Sequence, residues 1–144
     1  MNVDPYRLDR FVDAQADGVH ARALNELLAG RKATHWMWFI FPQVAGLGTS
    51  PASLRYAIGS LEEAHAYLDH PVLGRRLVEC AHAVLSHPDR TPRQIMGTPD
   101  DAKLRSSMTL FALAAPDSEP VFQKVLDTFF SGERDPRTVA LLGA

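Results

Sequence analysis

Apolar residues recur along most of this chain at spacings of three and four, the repeat that lines one face of an α-helix. Leu73, Leu77, Cys80 and Val84 step by four, three and four, and Leu104, Met108, Phe111 and Ala115 repeat the pattern. No segment offers the sustained alternation, β-branched residues and hairpin dipeptide that a strand would need. Proline marks where helices begin: Asp4-Pro5, Ser50-Pro51, Thr91-Pro92, Thr98-Pro99 and Asp135-Pro136 each set a capping residue before the ring. The side-chain oxygen then accepts an orphan amide while proline presets the first helical φ. Ser60 with Glu63 reads as a capping box and Thr98 with Asp101 as a weaker one. Further starts fall at His70-Pro71 and near Ser118, and Gly30 and Gly132 stand where helix-ending glycines belong. The expectation is all-α, a single domain over residues 1–144 with about eight to ten short helices. They fall near residues 5–15, 18–29, 35–41, 51–58, 61–69, 71–86, 92–96, 99–114, 119–131 and from 136 onward.

One stretch departs from this two-faced pattern. His35-Trp36-Met37-Trp38-Phe39-Ile40-Phe41-Pro42-Gln43 holds both tryptophans and turns no polar side to water. Read as a helix, it is capped by Thr34 and ended by Pro42, and a helix apolar all round is a buried one. A buried strand is the alternative, because periodicity does not separate the two in so short a run. Residues 44–49, with Gly46 and Gly48, read as the least structured segment, a mobile rim.

Composition narrows the partners. A chain of 144 residues buries one sizeable core, roughly 70% of the surface the unfolded chain exposes. Its 46% apolar and 22% charged residues are ordinary for a soluble globular protein. A formal charge of -2 and a pI near 6.3 leave no electrostatic footprint for nucleic acid. The lone Cys80 has no internal disulfide partner and suits a reducing compartment. Residues 1–10 lack the apolar core of a secretory signal. The longest apolar run, residues 36–41, falls far short of the roughly 20 residues of a membrane span. A cytoplasmic location with no membrane and no nucleic-acid partner is the expectation; oligomeric state stays open.

Two segments carry candidate chemistry. The tryptophans either fill the core or wall a cavity. His35 is either a structural imidazole or a partly buried group suited to proton transfer or anion recognition. In the second segment, Asp100, Lys103 and Ser107 share one stripe of the predicted helix and Ser106 lies about 100° round from Ser107. That stripe either faces water or turns inward to meet the aromatic run. In the latter case Trp36, Trp38 and Phe41 wall a pocket polarised by His35, Gln43, Tyr56, Lys103 and Ser107. Asp100 and Asp101 already complement the helix dipole, which disfavours a phosphate at that end. His65 and His70, like His82 and His87, are five apart, not the four that aligns two imidazoles for a metal. Asp4, Glu26, Glu62, Glu63 and Glu79 read as scattered surface charge, and glycine-rich nucleotide motifs are missing. No metal and no cofactor are expected.

These residues resemble the bacterial domain-of-unknown-function family 1810, some of whose members carry the automatic label calpastatin. The matching stretches are Asp9-Arg10-Phe11-Val12-Asp13-Ala14-Gln15, the aromatic run, Arg55-Tyr56-Ala57-Ile58 with residues 60–64, His70-Pro71-Val72-Leu73-Gly74 and residues 97–111. Met96 stands where the family pattern leads one to expect Phe or Leu. The resemblance implies a right-handed helical superhelix, somewhat like an α-horseshoe, with no assigned activity and no catalytic residues to transfer. Three functions are therefore carried forward. The leading one is a pocket for a small, partly apolar anion or short peptide. The others are a hydrolase or transferase with His35 as base and Lys103, Ser106 or Ser107 as helper or nucleophile, and a protein-interaction scaffold.

Overall fold

The computed structural model describes residues 4–144. The first three residues of the stretch read as lacking a signal lie outside them. Ten helices and no strand form among the described residues: α1 (Asp9–Ala14), α2 (Val19–Leu28), α3 (Met37–Ile40), α4 (Pro51–Arg55) and α5 (Leu61–Asp69), then α6 (Leu73–Leu85), α7 (Pro92–Met96), α8 (Asp100–Ala114), α9 (Val121–Phe129) and α10 (Pro136–Leu142). A single parallel bridge between Val44 and Ile58 is the only extended pairing among them.

Local chemistry sets most boundaries. Ser50 accepts from the Ser53 amide, Asp135 from the Thr138 amide, and Thr91 with Gln94 closes a reciprocal capping box. Ser60 caps α5 through the Glu63 amide, but the Glu63 carboxylate reaches to the Gly59 amide at 3.0 Å. Three expected starts move. Arg7 sits at φ 54°, so α1 begins at Asp9, and Asp4 reaches forward to the Leu8 and Asp9 amides at 2.8 and 3.0 Å. The helix expected from residue 99 begins at Asp100, because the Thr98 hydroxyl bonds the Asp101 carboxylate and leaves the backbone uncapped. The aromatic helix is a single turn preceded by Trp36, and Thr34 gives its hydroxyl to Glu26 in place of a cap.

Segments this short do not hold as isolated helices in water, so tertiary packing must fix them. The 15-residue α8 supplies the axis, with α5, α7, α9 and α10 against it, while α6 packs on α2, α5 and α9. Aromatic rings run through the core from Phe39 to Tyr56, Phe11, Tyr67, Phe111 and Phe122, at centroid separations of 5.1 to 5.8 Å. Each buried ring is worth roughly 1.5–3 kcal/mol, enough to outweigh the weak propensity of a one-turn helix. Buried Gln15 steers α3: its amide donates to the Phe39 carbonyl at 2.8 Å and the Tyr67 hydroxyl at 3.3 Å, and its oxygen accepts from Arg76.

The corner between α5 and α6 closes on main chain. The His70 Nδ1 accepts from the Val72 and Leu73 amides at 3.1 and 3.2 Å, capping α6. Gly74 follows, and a Cβ there would collide with the Leu68 carbonyl oxygen.

Candidate functional site

The two tryptophans go to different sides: Trp38 lies within α3, while Trp36 stands just before it in a non-helical conformation, φ -144° and ψ 7°. On the first side Trp36 is 2% exposed and donates its indole N–H to Glu26 Oε1 at 2.9 Å. Glu26 also accepts from the Ala33 and Thr34 amides at 2.7 and 2.9 Å and from the Thr34 hydroxyl at 2.6 Å. Burial pushes its carboxyl up, but the hydrogen bonds together, led by the Thr34 hydroxyl, outweigh that and hold it down at about 2. Lys32 completes this side. Its ammonium donates to the Thr34 carbonyl at 2.7 Å, pairs with Asp100 Oδ2 at 2.9 Å and stands 4.9 Å from the Trp36 ring centre.

On the second side Trp38 is half-buried and forms one wall of a hollow of about 390 Å³. The opposite wall is α8, through Pro99, Ala102, Lys103 and Ser106, the i, i+3, i+4, i+7 set of one helical face. Leu47 and Gly48 of the loop read as a rim also line it, as do Asp135 and Arg137 at the start of α10. The Lys103 ammonium lies 4.2 Å above the Trp38 ring centre and 3.3 Å from Asp100 Oδ1. One Asp100 carboxylate thus serves two lysines. Gln43 closes the wall beside Trp38, and its carboxamide nitrogen is buried without a hydrogen-bond partner. Its carbonyl is used, accepting from the Ile58 amide at 2.9 Å, so the main chain here is fixed.

Charge in the hollow is lopsided. Lys103, Arg105 and Arg137 line it with one carboxylate, Asp135. Asp100 pairs with Lys103 at 3.3 Å and Glu133 with Arg105 at 3.6 Å from outside the lining, so Arg137 is the cation left without a described ion pair. Asp135 is already committed to the Thr138 amide and hydroxyl, and Arg105 donates to the Glu133 and Arg134 carbonyls, both at 2.9 Å. The lining thus combines an apolar indole face with cationic side chains, and the unpartnered Gln43 amide nitrogen lies buried behind it.

The structure brings Trp38, Gln43, Lys103 and Ser106 together, and leaves other expected members elsewhere. His35 is exposed in the bend before α3 and lines no part of the hollow, since the helix starts only at Met37. Trp36 and Phe41 are sealed in the core, ring centres 6.2 Å apart. Tyr56 borders a narrow cleft behind Trp38 and Gln43 of about 20 Å³. Its ring packs on Phe39 and takes the Arg55 guanidinium at 5.6 Å. Ser107 is fully buried with an unpartnered hydroxyl. Ser106, one residue earlier on α8, takes the place expected of Ser107, its hydroxyl donating to the Ala102 carbonyl at 3.3 Å. Nothing in the sequence marks Arg105, Asp135 or Arg137 as site residues, and Asp135-Pro136 reads only as a helix start. A larger, more apolar hollow of about 700 Å³ lies between α2 and α6, bordered by Leu24, Leu28 and Val78. None of the sequence candidates lines it.

A family model described as protein of unknown function (DUF1810) matches residues 5–142. The chain belongs to this family. The crystal structure of the conserved hypothetical protein Rv1873 from Mycobacterium tuberculosis is similar at 53% identity and a TM-score of 0.94, covering 98% of this chain and 99% of that one. No curated protein matches the chain. Among the described residues no helix is long and apolar enough to cross a membrane, and no three His, Cys, Asp or Glu side chains gather as metal ligands would.

Proposed function

We propose that this DUF1810 protein is a cytosolic binding protein whose Trp38 hollow takes a small, partly apolar carboxylate. The observation that carries this reading is one juxtaposition. Lys103 stands 4.2 Å over the indole face while the buried Gln43 amide nitrogen, in the same wall, has no partner. A buried donor left unpaired costs about 1–3 kcal/mol, and a ligand oxygen bonding to it would recover that cost. The indole suits the apolar body of the ligand, and Lys103 with Arg137 suits its charge. A volume of about 390 Å³ fits a metabolite-sized molecule better than a peptide. The reading as a hydrolase or transferase draws no support from the geometry. His35 is exposed outside the hollow, and the Ser106 hydroxyl is given to the Ala102 carbonyl with no base hydrogen-bonded to it.

The test is a panel of aryl and alkyl carboxylates followed by calorimetry and indole fluorescence. A binder should quench emission that Trp38→Phe removes, and Lys103→Met and Gln43→Leu should each weaken it about tenfold or more. Binding that survives both substitutions, or a panel with no binder at all, rejects the proposal.

A further inference from the structure

Lys32 also lines a second hollow, at the end of α2 beside α7. Arg31, Lys32, Arg90 and Arg93 gather there against one acid, Asp89, around a volume of about 740 Å³. Asp100 neutralises Lys32, which leaves three guanidiniums facing one carboxylate. Arg90 donates one N–H to the Gly30 carbonyl at 3.3 Å. Neither Arg31 nor Arg93 forms an ion pair with any described carboxylate. The surplus is local: the chain holds 17 acidic residues against 15 Lys and Arg, net -2, yet this surface concentrates unpaired cations. Like charges held together without counterions repel, and an anion between them relieves that repulsion.

The cations are carried on tied main chain. The Lys32 amide donates to the Ile95 carbonyl at 2.7 Å, joining the Arg31–Lys32 strand of backbone to α7. The Thr91–Gln94 capping box fixes the α7 turn that bears Arg93. A planar guanidinium fork matches phosphate oxygens two at a time, so three such forks around one basin suit several linked phosphates better than a single monovalent anion. We infer that this hollow binds a soluble anion carrying two or more linked phosphate groups. The inference is independent of the carboxylate reading, since it uses different residues and a different surface.

Inorganic tripolyphosphate is the probe, titrated calorimetrically into the full chain at about 0.1 M salt, where exposed charges more than roughly 10 Å apart are screened. One-to-one binding is expected, at least about tenfold tighter than orthophosphate. Arg31→Gln and Arg93→Gln should each weaken it about tenfold. Both side chains are exposed, and an unchanged thermal midpoint checks that the variants fold. Arg22→Gln, an exposed position of α2 outside the hollow, should leave it unchanged. The inference is overturned by any of four results: no tripolyphosphate binding, orthophosphate binding as tightly, Arg22→Gln losing as much as Arg31→Gln, or a short mixed-sequence RNA binding more tightly than tripolyphosphate at equal phosphate concentration.

Discussion

Two residues separate Trp36 from Trp38, and the surroundings of the two indoles are opposite in kind. Around Trp36 every polar group has a counterpart: the indole N–H and two amides meet Glu26, and the nearby Lys32 meets a carbonyl and a carboxylate. Around Trp38 the polar groups outnumber their partners. An ammonium shares its carboxylate, Gln43 keeps an idle donor, and cations exceed acids. Trp36 and the single helical turn that follows it thus present a saturated side and an unsaturated one. A saturated side has nothing left to offer a ligand, so its contribution is stability; the unsaturated side is where the proposed carboxylate would bind.

The largest effect that would sharpen this contrast is on folding. Trp36→Ala should cost about 3–5 kcal/mol in urea denaturation, as large core truncations do. Trp38→Ala, at a half-exposed position facing a hollow, should cost less than about 2 kcal/mol. Equal losses would break the contrast. Glu26→Ala comes next, at about 2 kcal/mol, because the indole N–H and the amides of Ala33 and Thr34 lose their acceptor. Acid should reveal the same carboxylate. Its pKa falls from an ordinary 4.5 to about 2 on folding, so the stabilisation it contributes is complete above about pH 4.5 and fades as pH drops toward 2. Stability measured across that window should slope downward in the native protein and less so in Glu26→Ala. The smallest stability effect belongs to Lys103→Met, within about 1 kcal/mol because the Asp100–Lys103 pair is partly solvated. That same substitution should cause a large loss of carboxylate binding. A Lys103→Met protein that unfolded easily yet bound normally would invert the contrast.

How much of this was legible in the residues follows from distance along the chain. Ser50, Thr91 and Asp135 act on amides three residues away, so their caps could be read locally. The helical repeat of Leu104, Met108 and Phe111 likewise points at the core they fill. Glu26 gave no such signal. It looked like one more surface charge, yet it anchors Trp36 ten residues later because the chain doubles back after Gly30. His87 closes the end of α2 from about sixty residues away, with its Nε2 at 3.0 and 2.9 Å from the Leu27 and Leu28 carbonyls. The sequence leaves open whether Lys103 meets the aromatic run or water, and the structure sets it over Trp38 with neighbours the sequence does not indicate. Ser106 and Ser107 differ by one step of rotation on α8, and the packing of α5, α7, α9 and α10 around that helix decides which faces the hollow. Arg105, Asp135 and Arg137 join through the docking of α10, where the Thr109 hydroxyl accepts from the Asp135 amide at 2.9 Å.

Gly74 sets a limit on how the frame behind this site can vary. With no room for even one methyl group beside the Leu68 carbonyl, the crossing of α5 and α6 is dictated by peptide units touching peptide units. Side chains on the outer surfaces of the two helices can then drift in size without swinging one helix against the other.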